Sequence, residues 1–196
     1  MSLPAPPADL DTRKPALVTL AAGALLHRFY TSAFDPIFYD TSNVGRFNAP
    51  DKSYGVLYCA QTDIGALAET FLRTPGRRVI DPGLLAAKGY VLLTTRSDLT
   101  LISMAGPGLA ILGATAEMTS SAPPYAMPQI WSAALRAHPT AVDGIVYRSR
   151  HDDDQICYAL FNATAAVVTE ISRITDLDSD WFWELAETYE MGRTPS

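Results

Sequence analysis

The stretch VGRFNAPDKSYGVLYCAQTDIGALAETFLR, residues 44–73, decides the fold of this chain. It predicts a turn that carries Arg46, a strand over residues 54–60 with Tyr58 in its middle, and a helix that carries Glu69. The strand is apolar on both faces, which is typical of the interior of a sheet. A cation, a phenol and a carboxylate on three consecutive elements can converge on one cleft, where α/β folds bind their ligands.

The helix is predicted over about residues 62–73, because its apolar residues follow the i, i+3, i+4, i+7, i+8 pattern. Thr62 is a suitable cap for its first turn. Glu69 lies about 130° from the centre of the apolar stripe, so it points toward solvent or toward a cleft. Spacing alone favours the simpler interpretation, a surface ion pair with Arg73 one turn further on.

Composition limits the class of protein. The chain has 196 residues, of which 48% are hydrophobic and 18% charged, and this predicts one globular domain with a substantial core. The net charge is −6 and no run of Lys and Arg occurs, which argues against a nucleic-acid partner held by its phosphates. A few clustered arginines could still hold a small anion.

Targeting and redox signals are sparse. The N-terminus has no basic segment followed by an apolar one, and no run of about 18 apolar residues occurs, so we expect a soluble cytoplasmic protein without membrane contact. Cys59 and Cys157 lie in apolar runs, which favours two buried thiols over a disulfide. His151, followed by three aspartates, is interpreted as a solvated acidic turn and not as a metal site.

The predicted fold class is α/β (α+β), a single domain with a mixed, twisted β-sheet and flanking helices. Residues 1–25 are assigned to an N-terminal extension, 26–162 to the main domain, and 163–196 to a strand and a helix that complete it. Within this outline, residues 16–26 are predicted as a short helix. The two strands at 90–95 and 99–104 are predicted to form a β-hairpin.

Polar residues in otherwise apolar strands are the candidates for chemistry. Tyr58 could be a core tyrosine with a satisfied hydroxyl, Ser149 an ordinary serine at a strand end, and Arg28 a member of a salt bridge. Each structural interpretation is favoured when its residue is taken alone. Together the residues favour a site, because they lie at strand ends and in the turn before a strand.

Two sets of motifs stand out in the sequence. The first set comprises residues 45–48, 56–60 and 66–69, and the second comprises residues 143–150 and 159–162. Together they resemble the RES domain family. The family is named for an arginine, a glutamate and a serine, which correspond to Arg46, Glu69 and Ser149. The similarity covers about residues 26–162. Phe47 stands where a tryptophan often follows the arginine, and this keeps the position aromatic.

The resemblance implies a fold similar to the ADP-ribosyltransferase toxins and an enzyme for which NAD is a substrate, with no cofactor and no metal. It implies cleavage of the nicotinamide–ribose bond by hydrolysis or phosphorolysis. The alternatives are a mono-ADP-ribosyltransferase that modifies a bacterial protein and an NAD-binding module without turnover. Many relatives are toxins of toxin–antitoxin pairs, so the expected partner is an Xre-type helix-turn-helix antitoxin. A homodimer within that complex is one expected assembly.

The resemblance also implies roles for individual residues. Glu69 would stabilise the oxocarbenium-like charge that develops as the glycosidic bond breaks. Arg46, also expected to be catalytic, would hold the pyrophosphate with its planar fork. Tyr58 is also expected to be catalytic, and its ring would stack on nicotinamide. Ser149 would contact the ribose or the carboxamide, and Arg28 would be a second phosphate ligand. Asn48 would contact NAD beside Arg46.

Overall fold

The computed structural model describes residues 3–193, which form ten strands and six α-helices. The strands are β1 (Leu17–Leu20), β2 (Leu25–Thr31), β3 (Val56–Ala60), β4 (Val79–Ile80), β5 (Lys88–Thr95), β6 (Leu99–Met104), β7 (Gly144–Arg148), β8 (Ile156–Phe161), β9 (Val168–Ile174) and β10 (Gly192–Arg193). The helices are α1 (Asp63–Phe71), α2 (Pro82–Ala86), α3 (Pro107–Leu112), α4 (Glu117–Ser120), α5 (Ala126–Arg136) and α6 (Asp180–Glu187).

Eight of the strands form one sheet in the order β1-β6-β7-β8-β3-β2-β5-β9, and β4 pairs with β10 in a small parallel ribbon. The β6–β7 pair is parallel and the other neighbours in the large sheet are antiparallel. The predicted single α/β domain with a mixed sheet and flanking helices is therefore confirmed. The strand predicted around Tyr58 is β3, an interior strand between β8 and β2.

The predicted hairpin of β5 and β6 is wrong, although both strands exist. They are the seventh and the second strands of the order, and five spacings of about 4.8 Å would separate them by about 24 Å in a flat sheet. The three residues that join them can span only about 14 Å, so the sheet must roll up. The turn before β2 meets this link, where Gly23 N donates to Thr95 O (2.8 Å) and Ala22 N donates to the Asp98 carboxylate (2.8 Å).

The helix predicted over residues 16–26 is also wrong. This segment forms β1, a turn, and the start of β2, with Gly23 at φ +82° in the turn. A short apolar run fits the period of a helix as well as that of a strand, and here the hydrogen-bonded pairing of β1 with β6 stabilises the strand. Leu3 and Leu10 are buried, so the residues assigned to an N-terminal extension pack against the domain. Met1 and Ser2 lie outside the described residues.

The sheet separates two hydrophobic clusters, and β3 shows the division. Val56 and Tyr58 contact the larger cluster, which also contains residues of α1, α5 and α6, whereas Leu57 and Cys59 contact the smaller one. Cys157 on the neighbouring strand belongs to the larger cluster. The prediction of two buried thiols is confirmed, and the two cysteines point to opposite faces of the sheet.

None of the helices within residues 3–193 has the length and apolar character needed to cross a membrane. The segment from residue 163 onward contains β9 and α6, and β9 extends the sheet beside β5. Helix α6 packs Phe182 and Ala186 into the larger cluster, near α1. The face of the sheet that carries Tyr58 is therefore covered by helices.

Candidate active site

Arg46 lies in a turn that can close because residue 45 is a glycine. A Cβ atom at Gly45 would lie 2.3 Å from Asn48 Oδ1 and 2.7 Å from the Tyr58 hydroxyl oxygen, which is too close for any side chain. The backbone N–H of Asn48 donates to Gly45 O across the turn (3.3 Å). The Gly-Arg-Phe-Asn motif therefore describes a tight turn packed directly against β3.

The Tyr58 hydroxyl and the Asn48 amide bind this turn together. The hydroxyl accepts a hydrogen bond from Phe47 N (2.8 Å) and donates one to Asn48 Oδ1 (2.8 Å). Asn48 Nδ2 donates to the Asp40 carboxylate (2.9 Å) and to Ser42 O (2.8 Å). Burial raises the pKa of Tyr58 well above its ordinary value, so the phenol keeps its proton. The polar groups of both side chains serve the turn, and the Tyr58 ring remains the part that could meet a ligand.

Arg46 itself has a different environment. Its side chain is buried, with 7% exposure for the residue, and its Nε atom is buried without a hydrogen-bond partner. The guanidinium carbon lies 5.2 Å from the ring centre of Tyr125 and 6.0 Å from that of Phe47. Among the described residues no carboxylate pairs with it. Burial of an unpaired charge is unfavourable, so this arrangement suits an anionic ligand.

Glu69 lies on α1, whose first turn is capped as predicted by Thr62 Oγ1, which accepts from Gly65 N (3.0 Å). The side chain is partly buried, and Oε1 is buried without a hydrogen-bond partner. Arg73 Nε donates to the backbone carbonyl of Glu69 (3.0 Å), and within residues 3–193 no ion pair joins the two side chains. The interpretation of Glu69 as half of a surface pair is therefore wrong.

The charges of Arg46 and Glu69 act on the same three side chains, Tyr147, Cys157 and His151, so the two residues share one neighbourhood of the fold. Burial raises the pKa of Tyr147 well above its ordinary value, and Glu69 raises it further. The pKa of Cys157 is raised in the same way, first by burial and then by Glu69. Burial lowers the pKa of His151 and Glu69 opposes this, while Arg46 acts against Glu69 in all three cases.

Ser149 and His151 follow the end of β7. Ser149 is buried, its N–H donates to Gln155 O (2.9 Å), and its hydroxyl accepts from His151 N (3.1 Å). Asp153 and Asp154 are exposed, as expected of a solvated acidic turn, whereas His151 is half-buried and the charge of Glu69 acts on its pKa. The sequence feature that could have indicated a position of His151 near the site is its place two residues beyond Ser149. Asp152 accepts a hydrogen bond from Tyr189 (2.6 Å).

Arg28 begins on the other side of the sheet. Leu26 and Tyr30 belong to the smaller cluster and Phe29 to the larger, so alternation along β2 places Arg28 with the smaller cluster. β2 and β3 pair at one position only, and Arg28 Nη1 reaches across to Tyr58 O (2.7 Å). Its Nε atom is buried without a partner. Arg28 is thus set apart from the group formed by Arg46 and Glu69.

Two further residues, which the sequence did not indicate, brace the turn from α5. Gln129 and Ser132 are buried, and both donate hydrogen bonds to backbone carbonyls next to Arg46. Within the described part of the chain, no group of three or more His, Cys, Asp or Glu side chains is placed to hold a metal ion.

Comparison with known proteins places the chain as follows. The profile of the RES domain matches residues 22–182. A chain in the crystal structure of the M. tuberculosis MbcT–MbcA toxin–antitoxin complex superposes with a TM-score of 0.64 and 13% sequence identity, covering 86% of this chain and 92% of that one. At that identity the likeness concerns the fold. No curated protein matches the sequence.

Proposed function

The chain belongs to the RES domain family, and from this premise we propose that it is an enzyme that consumes NAD by cleaving the nicotinamide–ribose bond. The observation that carries the proposal is a pair of unpaired charges that act on the same side chains, the buried Arg46 with an unpartnered Nε and the partly buried Glu69 with an unpartnered Oε1. NAD offers a complementary charge to each of them. Its diphosphate is anionic, and its pyridinium and the adjoining ribose carbon carry positive charge during cleavage.

Glu69 has the main catalytic role in this proposal. The bond between the ribose carbon and the nicotinamide nitrogen breaks with its electron pair going to the nitrogen, and the ribose becomes oxocarbenium-like. A carboxylate held in a partly buried position stabilises that charge without reorganising. An oxygen of water or of phosphate then bonds to the ribose carbon, and the acceptor releases its proton to solvent or to a nearby base.

Arg46 binds the diphosphate in this proposal, because the guanidinium fork suits phosphate oxygens and its position is fixed by the turn. Arg28 is the proposed second phosphate ligand, although its backbone faces the smaller cluster, because its side chain extends to Tyr58 O on β3 and its Nε has no partner in the fold. Ser149 accepts from His151 N and keeps its own O–H to donate to the ribose or carboxamide. The Tyr58 ring stacks on nicotinamide, and Asn48 acts by holding the turn.

The biological role we propose is that of a toxin restrained by a partner protein. An enzyme that depletes NAD would stop the growth of its own cell unless it were inhibited. The structural neighbour comes from a complex described as toxin–antitoxin, which supports an antitoxin partner for this chain as well. We expect that partner to be of the Xre type, with a helix-turn-helix domain, and to block access to the cleft.

The test is to incubate the purified protein with NAD and measure free nicotinamide. Mass spectrometry of the second product identifies the acceptor, since water gives ADP-ribose and inorganic phosphate gives its phosphorylated form. Label transferred from NAD to a protein in added lysate would instead identify a mono-ADP-ribosyltransferase. NAD binding without nicotinamide release would identify a binding module, and the absence of both would contradict the proposal.

A further inference from the structure

Helix α5 presents a polar face to the Arg46 turn. Gln129 and Ser132 are three residues apart and so share one side of the helix, where they are 6% and 0% exposed. Gln129 Nε2 donates to Asn43 O (2.9 Å) and Gly45 O (3.0 Å), and Ser132 Oγ donates to Phe47 O (2.6 Å). Gly45 and Phe47 are the neighbours of Arg46 in the chain, so α5 fixes the carbonyls on both sides of it.

The same helix is held from another side by the N-terminal arm, residues 3–13. Trp131 Nε1 donates to Pro4 O (2.7 Å), and His138, just beyond α5, bonds through Nε2 to Leu10 O (3.2 Å) and Arg13 O (3.1 Å). Leu10, within the arm, is buried in the larger cluster. The arm precedes the matched RES region, so this support is additional to the family domain.

We propose that Gln129 and Ser132 are positioning residues that orient Arg46 for its anionic ligand, and that the N-terminal arm keeps α5 in place for them. This inference rests on the proposed function only for the identity of the ligand. An arginine in a free turn would lose side-chain and backbone entropy on binding, and a turn fixed beforehand avoids that cost. We call Gln129 and Ser132 together the clamp. Because Glu69 lies on a different helix, the clamp affects substrate binding and leaves the bond-breaking step unchanged.

The variants for the test are Gln129→Met, which keeps length and loses both donors, and Ser132→Ala, which loses one hydroxyl. Leu10→Ala weakens the arm in the full chain, and Ile130→Ala on the same helix is the matched control, since Ile130 is 45% exposed. Should Gln129→Met fail to fold, Ser132→Ala makes the same test with a smaller change. The readouts are KM and kcat for nicotinamide release and the hydrogen-exchange rate of the Phe47 amide.

We expect Gln129→Met to raise KM roughly tenfold, the equivalent of one or two lost hydrogen bonds, with little change in kcat. Phe47 exchange should accelerate, because its bond to Tyr58 depends on the same turn. Ser132→Ala and Leu10→Ala should shift both readouts in the same direction by less, and Ile130→Ala should shift neither.

A purely structural role predicts a different pattern. Folded variants that melt earlier while KM and Phe47 exchange stay at wild-type values would overturn the inference. Failure of the wild type to release nicotinamide would contradict the proposed function but would not remove this test. Phe47 exchange and the affinity for inorganic pyrophosphate would then be compared, and equal values in wild type and Gln129→Met would overturn the clamp.

Discussion

Asn48 and Arg46 lie two residues apart in one turn, and both are buried, yet they differ in whether the polar atoms of the side chain have hydrogen-bond partners. Asn48 uses its amide nitrogen twice and its oxygen once, each time on a protein group. Arg46 leaves its buried Nε without a partner, as Glu69 does with Oε1. Buried polar groups are almost always satisfied, so two unpartnered atoms on oppositely charged side chains in one region are consistent with groups kept for a ligand.

This contrast separates two regions of the molecule. The frame consists of the turn and the side chains that hold it, namely Gly45, Asn48, Tyr58, Gln129 and Ser132. The charged interior consists of Arg46 and Glu69. Changes in the frame should lower stability or binding through the position of the turn, whereas changes in the charged interior should lower activity and leave stability unharmed.

The largest effect is expected for the Glu69→Gln variant. It keeps the shape of the side chain and removes the charge that meets the oxocarbenium-like state, which should raise the barrier by about 3–4 kcal/mol and slow nicotinamide release by two to three decades. NAD affinity should change little, because the charge matters mainly after bond breaking has begun. The measurement is the rate at saturating NAD, with melting temperature as the folding control.

Glu184→Gln on the exposed side of α6 is the matched substitution and should retain the wild-type rate. A folded Glu69→Gln variant that also retained most of the rate would remove Glu69 from the mechanism. Glu69 would then belong with the frame, and the claim that the charged interior serves activity would be contradicted.

In the frame, Asn48→Ala should have the largest effect on stability. It removes three hydrogen bonds and leaves the buried hydroxyl of Tyr58 without its acceptor, which we expect to cost about 2–4 kcal/mol of unfolding free energy. Chemical denaturation measures the loss. Asn162→Ala serves as the control, because its side chain is exposed, and an equal, small loss in both variants would contradict the account of the frame.

The sequence predicted the local elements of this site well. The interior strand around Tyr58 and the capped helix of Glu69 follow from apolar periodicity and from Thr62, which are properties of neighbouring residues. The resemblance added the assignment of Arg46. The glycine before Arg46 indicated a turn, and the Cβ contacts of Gly45 show why no other residue fits.

The long-range part could not be predicted in this way. Gln129 and Ser132 contact the turn from more than eighty residues away, and no period in the sequence sets the position of α5. The three-residue link between β5 and β6 has the length of a hairpin turn, so the sequence predicts that the two strands pair. Only the strand order of the folded sheet shows that they do not. Glu69 has the spacing of a surface residue, because helical periodicity does not reveal which distant parts of the chain bury its Oε1 atom.

Two histidines, His27 and His151, should have a smaller effect, which is on the pH dependence of the unfolding free energy. Burial lowers the pKa of His27 and of His151 below the ordinary value of about 6.5, with Asp63 opposing at His27 and Glu69 at His151. The unfolded chain therefore binds more protons than the folded one at mildly acidic pH, and stability falls as pH drops through about 6.5 toward the lower folded pKa values.

The variants His27→Gln and His151→Gln should each reduce the loss of unfolding free energy between about pH 7 and pH 5. Denaturation curves at both pH values measure this. For His151, the slope of stability with pH should also shift in a Glu69→Gln background, because Glu69 opposes the effect of burial. An unchanged slope in the His151→Gln variant would contradict the half-buried position of that ring near the charge of Glu69.

Arg46 offers the most direct test of the central claim, that its buried charge is unpaired in the fold and reserved for NAD. The measurement is the unfolding free energy of wild type, Arg46→Met and Arg46→Lys, each with and without NAD. We predict that ligand-free Arg46→Met is as stable as wild type or more stable by about 1 kcal/mol, since a buried unpaired charge has been removed. NAD should stabilise wild type, should not stabilise Arg46→Met, and should stabilise Arg46→Lys only in part, because an ammonium lacks the fork. A large loss of stability in ligand-free Arg46→Met, or stabilisation of that variant by NAD equal to that of wild type, would contradict the claim.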